Sequence, residues 1–438
     1  MSDSPFWHYN ASFDAIATIR RNALPHVQPN AGVLTNFLGT RIDPRFFPRV
    51  LGGKEGQIEP PPIPANWHAD IAEWAAALRA VECATNSFTV VELGCGWGCW
   101  MNNTGVAARR RGLSVRVIGI EGDEGHIGFA RESLASNGFR TEEITLYRGI
   151  AAAKSGIALF PKQEHPGISW GNEPVFDATE EQRKRALESE SHDELPVLAL
   201  EEIVREYPRI DLLHVDIQGG EADLIRGCAA LLKEKFAYLV IGTHSRQIEG
   251  QLFDMLLKDG WLLEIERPAI LGIDNDGPMV TVDGVQGWRN PRLFHDFRDP
   301  DGPADSRGTK GLRMEFHVKA ERGEDHVHIT GEIRNVGTSA WLPSTRPITG
   351  PASVGDVNIG VHLLDRIGSQ NVADYARREL SDIRVEPGKS IAVDFTIPYP
   401  AGLHRFTLEI DLVAEHLAWF ETLGSAPFRV DIEHDANE

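Results

Sequence analysis

The feature that most restricts the fold is a β-branched run that ends in glycines. Thr89-Val90-Val91-Glu92-Leu93 leads directly into Gly94-Cys95-Gly96-Trp97-Gly98, and a helical stretch follows. A strand that turns sharply through glycines into a helix belongs to an open α/β sheet, because residues without a Cβ let the chain turn and let a ligand come close. The helix beyond offers free amides and the positive end of its dipole. A cofactor is expected at this turn.

Spacing narrows which cofactor. The dinucleotide fingerprint needs Gly-x-Gly-x-x-Gly, whereas Cys99 stands in the last position here and the third glycine comes one residue early. A nicotinamide-dependent oxidoreductase is thereby disfavoured, although it stays the competing enzyme class. The form Glu-x-Gly-x-Gly-x-Gly, with Glu92 just before the turn, resembles motif I of class I methyltransferases. Such a loop holds the methionine and ribose portions of S-adenosylmethionine, with no phosphate to cradle. Gly94, Gly96 and Gly98 are the candidate cofactor glycines. Glu92 has two readings, a cofactor contact or a cap on the next helix. The second β run, 115–120, ends in Glu121-Gly122-Asp123. A carboxylate one βαβ unit after the loop can accept both hydroxyls of a ribose, which makes Glu121 and Gly122 candidates. Asp123 is either an adenosine contact or the N-cap of the following helix. Trp97 and Trp100 read as packing residues.

The chain goes on alternating short β-branched runs with helical stretches. Strands are expected at 89–93, 115–120, 144–148, 210–215 and 236–242, and helices near 99–111, 124–136, 198–206, 220–234 and 246–258, with an amphipathic helix from Trp67 to Val81 leading in. This order predicts a doubly wound, Rossmann-like α/β domain over 66–292. Residues 1–65 are rich in Pro, Asn and Gly and read as an N-terminal arm. Residues 155–197 fit no βαβ unit and read as an insertion or lid. Its Phe160, Trp170 and Phe176, together with a 283–292 loop carrying Trp288 and Arg289, are expected to close over a site. A polar linker is expected at 293–312. Beyond it the apolar period becomes two, and six or seven short strands predict a smaller all-β, immunoglobulin-like sandwich over 313–438.

The strand at 210–215 ends in Asp216-Ile217-Gln218-Gly219-Gly220-Glu221. Ligands of an open parallel sheet gather at such carboxyl ends. Asp216 is a candidate catalytic base and cofactor contact. Together with Glu221 it is also a candidate ligand for a divalent ion such as Mg. The bland alternatives are an N-cap for Asp216 and a first-turn dipole partner for Glu221. The next strand ends in Thr243-His244, which puts His244 beside Asp216. A sugar hydroxyl is too weak an acid to ionise unaided, and histidine has a suitable pKa for a base. His214 reads as a satisfied buried polar group.

With these residues in place, the stretch 67–290 resembles the FkbM family of S-adenosylmethionine-dependent O-methyltransferases. The likeness rests on the glycine loop, Ile120-Glu121-Gly122-Asp123, Asn137-Gly138, and the Asp-x-x-x-x-Asp-x-x-Gly-x-Glu string from Asp211 to Glu221. It implies methyl transfer to a hydroxyl of a saccharide, glycoconjugate or small natural product. Family members usually carry an acid between Asp216 and the glycine, where this chain has Gln218 and Gly219. That departure counts against a metal or base role needing one more carboxylate.

Composition limits the partners. A formal net charge of −20 would repel a phosphate backbone, so nucleic acid is a poor candidate. No apolar run reaches the roughly 18 residues of a membrane helix. The amino terminus lacks a secretory pattern, and the four cysteines form no ligand-like set, so a cytoplasmic protein with free thiols is expected. The carboxy-terminal module resembles small bacterial immunoglobulin-like modules attached to enzymes of surface-polysaccharide assembly, on Gly331–Trp341 and Leu408–Val413. It is expected to join copies of the chain, to bind glycan or to bind an assembly partner.

Overall fold

Phe88, Val90, Val91 and Leu93 are all fully buried, as a strand covered on both faces requires. This strand is the middle of the larger unit in a computed structural model that describes residues 4–275, 277–294, 308–343, 354–364 and 371–433. Two units form, 4–301 and 302–438.

In the first unit the sheet strands are β1 (Asn10–Ala11), β2 (Ser87–Leu93), β3 (Ser114–Glu121), β4 (Ile144–Arg148), β5 (Leu212–Val215), β6 (Tyr238–Thr243), β7 (Leu262–Arg267) and β8 (Gly284–Arg289). Their spatial order is β1-β7-β8-β6-β5-β2-β3-β4. The run β6-β5-β2-β3-β4 is parallel, and β8 lies antiparallel between β6 and β7. The chain winds outward from β2 through β3 to β4, then returns to β5 on the other side of β2. Their carboxyl ends therefore bound the crevice where an open sheet takes its ligand.

Six helices cover the sheet: α1 (Ala15–Asn22), α2 (Ile71–Cys83), α3 (Cys99–Arg110), α4 (Glu124–Ser136), α5 (Glu221–Lys235) and α6 (Arg246–Lys258). Alternation along the strands sends Val90, Leu212 and Val240 into one core with α1, α2 and α3. Val91, Leu213 and Ile241 enter the opposite core with α5 and α6. This is the doubly wound arrangement that the alternating pattern predicted. α4 and α6 have the expected bounds, whereas the helix expected at 198–206 is only Leu200–Ile203. α2 starts at Ile71 because the Asp70 carboxylate caps the amides of Ala72 and Glu73.

Residues 10–51, read from sequence as an arm, supply β1 and α1 and bury Phe13, Ile19, Phe37, Phe46 and Leu51 in the core with α2. Arg21 pairs with the buried Glu82 at 3.0 Å. Isolated aromatic anchors, with no period between them, hold this stretch down. Of the 283–292 segment, expected as a loop, Gly284–Arg289 is β8, a strand inside the sheet, and Asp283 just before it comes within 4.0 Å of His244. Trp288 has no exposure and donates to Gln286 at 3.1 Å, and Arg289 pairs with Glu264 at 2.6 Å. Its glycines and lone aromatic conceal the strand from a period-two reading.

The second unit is a β-sandwich. Met314–Arg322, His326–Asn335 and Ser390–Pro398 make one sheet, and Val357–Leu364, Asn371–Glu379, Arg405–Ala414 and Phe428–Glu433 belong to the other. Val327, Ile329 and Ile333 of the first meet Val361, Leu408 and Ile410 of the second in one core. Asn371–Glu379 was not expected, since as an edge strand it carries charged residues rather than alternating apolar ones. Of the expected linker 293–312, residues 295–307 lie outside the described residues, as do 434–438 of the expected module.

Candidate active site

The glycine loop is pressed against the neighbouring strand end. A Cβ on Gly94 would lie 2.2 Å from the Asp216 carbonyl oxygen, and its φ is +70°. The amides of Gly94 and Cys95 both donate to the Ile120 carbonyl at 3.0 Å. The Gly96 amide donates to Glu121 Oε2 at 2.9 Å, and the Asp123 amide to Glu121 Oε1 at 2.8 Å. Glu121 thus ties the loop to the end of β3. Burial raises its pKa, against those amide bonds, and among the described residues no Lys or Arg pairs with it.

Gly94, Gly96, Glu121, Gly122 and Asp216 line one cavity of about 560 Å³, within the range of small-ligand sites. Glu92, Gly98 and Asp123 do not line it. Glu92 accepts the amides of Trp100 at 3.1 Å and Met101 at 2.9 Å, and burial pushes its pKa to about 7. It caps α3, so its cofactor reading is replaced by the capping one. Gly98 precedes that helix and faces Met101 and Ala130. Asp123 caps α4 through the His126 amide at 2.9 Å. These three shape the loop from behind.

At the other edge His244 stands between the carboxylates of Asp216 and Glu221, with a third, Asp283 Oδ2, 4.0 Å from its Nε2. Its Nε2 is 3.2 Å from Asp216 Oδ1, and its Nδ1 is 2.9 Å from Glu221 Oε1, off the line of a straight hydrogen bond. Glu221 has no exposure, and its Oε1 also accepts the amides of Ile217 at 3.2 Å and Gly219 at 3.1 Å. Gln218 turns through φ +56°, and its amide reaches Asp216 Oδ1 at 3.3 Å. Burial alone would lower the His244 pKa, but the Asp216 and Glu221 carboxylates overcome it and raise it to about 10. Burial works to raise the Asp216 pKa, yet His244, His214 and His68 together hold it below the ordinary value. The Asp216 side chain is 45% exposed.

Two sequence expectations change. An imidazolium flanked by carboxylates on both nitrogens has no lone pair to offer, so His244 is a charge partner of Asp216 rather than a base. The metal expectation for Asp216 and Glu221 fails because His244 occupies the space between them. Among the described residues no three His, Cys, Asp or Glu side chains converge to hold an ion. His214 is buried, with Nε2 2.9 Å from Glu73 and Nδ1 without a partner, so the expected satisfaction holds at one ring nitrogen.

The insertion forms the roof. It contains strands Gly156–Pro161 and His192–Ala199, paired together, and helix Glu180–Glu188. Phe160 lies against Gly122, and Trp170 against Gly96, where a Cβ would come within 2.8 Å of either ring. Trp170 is stacked between Phe47 (4.2 Å, 10°) and His126 (3.9 Å, 3°). Phe176 also lines the cavity. Sequence reasoning missed His126, Phe47, Gln163 and Asn172. An N-cap at Asp123 places His126 in the first helical turn beside the loop and could have flagged it. Nothing local flags Phe47, which reaches the site only through the packing of residues 10–51.

Residues 84–264 match the family model described as the methyltransferase FkbM domain. A protein of Jannaschia sp. (strain CCS1) called "Putative methyltransferase" is 48% identical over 264 residues, which are 60% of this chain and 94% of that protein. The chain belongs to the FkbM methyltransferase family. Among solved structures, precorrin-6y C5,15-methyltransferase from Geobacter metallireducens GS-15 is 10% identical with a TM-score of 0.29, over 49% of this chain and 86% of that one. Precorrin 8w decarboxylase from Methanobacterium thermoautotrophicum is 14% identical with a TM-score of 0.27, over 48% and 86%. Likeness this distant carries nothing about substrate. In this FkbM methyltransferase the loop, Glu121 and Asp216 border one cavity.

Proposed function

We propose that this FkbM methyltransferase moves a methyl group from S-adenosylmethionine to a hydroxyl oxygen of a saccharide or glycoconjugate. The observation that carries the reading is that Glu121, beside the glycine loop, and Asp216, with its ion-paired His244, border the same cavity. The residues fit the cofactor. The Glu121 carboxylate takes the amides of Gly96, Asp123 and Gly122, which leaves one of its four acceptor positions for a ribose hydroxyl. Glu121, Glu173, Asp216 and Asp223 line the cavity with no Lys or Arg among the described lining residues, which suits a cationic ligand.

When bound, S-adenosylmethionine supplies an electrophilic methyl group on a positively charged sulfur. Asp216 accepts a hydrogen bond from the acceptor hydroxyl and turns an oxygen lone pair inward. The hydroxyl becomes strongly acidic only as its oxygen gains the methyl, so even a carboxylate of low pKa can take the proton then. Positioned proton transfer of this kind contributes about 10²–10⁴-fold. His244 keeps Asp216 ionised, and buried Glu221 keeps His244 in place. Phe160 and Trp170 exclude water, which strengthens these charges and holds the reacting groups in line. The amides of Asn172 and Gln218 and the ring of Phe176 are groups that recognise sugars. We further place the protein in the cytoplasm, where its four buried free thiols stay reduced. The β-sandwich is assigned to self-association, to glycan or to a polysaccharide-assembly partner.

Calorimetry should find one S-adenosylhomocysteine per chain, lost in Gly96→Val. Mass spectrometry of saccharides from cells lacking the protein should show one CH₂ fewer on an oxygen. A missing methyl found on nitrogen or carbon would overturn the oxygen assignment.

A further inference from the structure

The cavity has a feature that the methyl-transfer chemistry leaves unused. Three buried side-chain nitrogens on its roof make no hydrogen bond: Gln163 Nε2, Trp170 Nε1 and Asn172 Nδ2. All three belong to the insertion and lie within ten positions of one another. A buried donor left unpartnered is costly, so three in one wall mark a surface shaped to meet acceptor atoms.

The proposed cofactor carries one group that the rest of the cavity does not satisfy. Its methionine arm ends in a carboxylate, and no Lys or Arg lines the cavity among the described residues. The loop amides are already engaged: Gly94 and Cys95 on Ile120, Gly96 on Glu121, and Gly98 on Cys95. The amides of Ile217 and Gly219 are held by Glu221. Burial lowers the pKa of His126, so no fixed cation stands there. The buried side-chain nitrogens left without a partner along this wall are His126 Nε2 and the three of the roof, and the roof supplies most of them. Gln163 follows Phe160, which covers Gly122 at the Glu121 end. Trp170 lies over Gly96, and Gly171 approaches Gln218, two positions beyond Asp216.

We propose that the Trp170 indole N–H and the Asn172 amide hold the methionine carboxylate of the cofactor, as neutral donors standing where a cation is absent. The Phe47–Trp170–His126 stack holds the indole in place against Gly96. The insertion is then a cofactor-binding element, and not only a cover.

The inference rests on the cofactor reading above, and two ligands separate the two. S-adenosylhomocysteine carries the amino-acid arm, and 5′-methylthioadenosine lacks it while keeping the nucleoside. For the full chain in calorimetry, Trp170→Phe keeps an aromatic ring in the stack and removes the N–H, and should weaken S-adenosylhomocysteine about tenfold. Asn172→Asp, which opposes one carboxylate with another, should weaken it more. Both variants should bind 5′-methylthioadenosine within about twofold of the wild type. Equal losses for the two ligands, or no loss for either, would overturn the assignment while leaving the cofactor reading intact. Wild-type protein that binds neither ligand refutes the cofactor reading itself.

Discussion

Replacing Glu221 with Gln tests whether His244 is held as an imidazolium by two carboxylates. The His244 pKa rises from an ordinary 6.5 to about 10 in the folded chain. A group with a raised folded pKa contributes all its stability below the unfolded value and loses it as pH climbs to the folded one. Between pH 6.5 and 10 the native state keeps a proton that the unfolded chain has released, so stability falls by about 1.4 kcal/mol per pH unit. The ceiling is about 5 kcal/mol. With the Asp216 side chain 45% exposed, water screens its share of the pairing, and about 2 kcal/mol is the expected loss in the wild type. Glu221→Gln removes the partner with no exposure, lowers the His244 pKa and should leave a loss of about 1 kcal/mol over the same range. Urea unfolding followed by tryptophan fluorescence reads this unit, because eight of the ten tryptophans lie in residues 4–294. Glu59 and Glu92, both pushed up to about 7 by burial, titrate in both proteins and cancel in the comparison. If stability falls equally steeply in the two proteins from pH 6.5 to 10, His244 is not held by Glu221 and the charge argument is wrong.

Asp216→Asn should leave S-adenosylhomocysteine binding within a few-fold and lower kcat by about 10²–10⁴-fold, and undiminished turnover would remove Asp216 from the proton path. Gly94→Ala puts a methyl group into the Asp216 carbonyl and should abolish nucleoside binding in calorimetry, while retained affinity would show that the loop can shift. Trp288→Ala should destabilise the first unit by about 3–5 kcal/mol in urea without changing nucleoside affinity of the folded protein, as fits a sheet residue and not a lid. Phe13→Ala should also destabilise that unit, by about 3 kcal/mol, and an unchanged midpoint would return residues 4–22 to the role of an arm.

What the sequence by itself determined was whatever depends on neighbours along the chain. The turn through Gly94–Gly98, the acid at Glu121, the strand ends at Asp216 and His244, and the period-two pattern of the second unit are all short-range signals, and each stands where that pattern puts it. Only the tertiary structure decided the roles. Glu92 and Asp123 have the composition of ligand contacts, and whether they face a cavity or a helix end depends on which way the strand's pleat turns them. His244 looked like a base because its pKa was judged alone; placing Glu221 behind it, from the next turn of another element, adds a second charge and removes the free lone pair. β8 and Phe47 were invisible for a related reason. Their burial is a contact between segments far apart in sequence, and no local period records it.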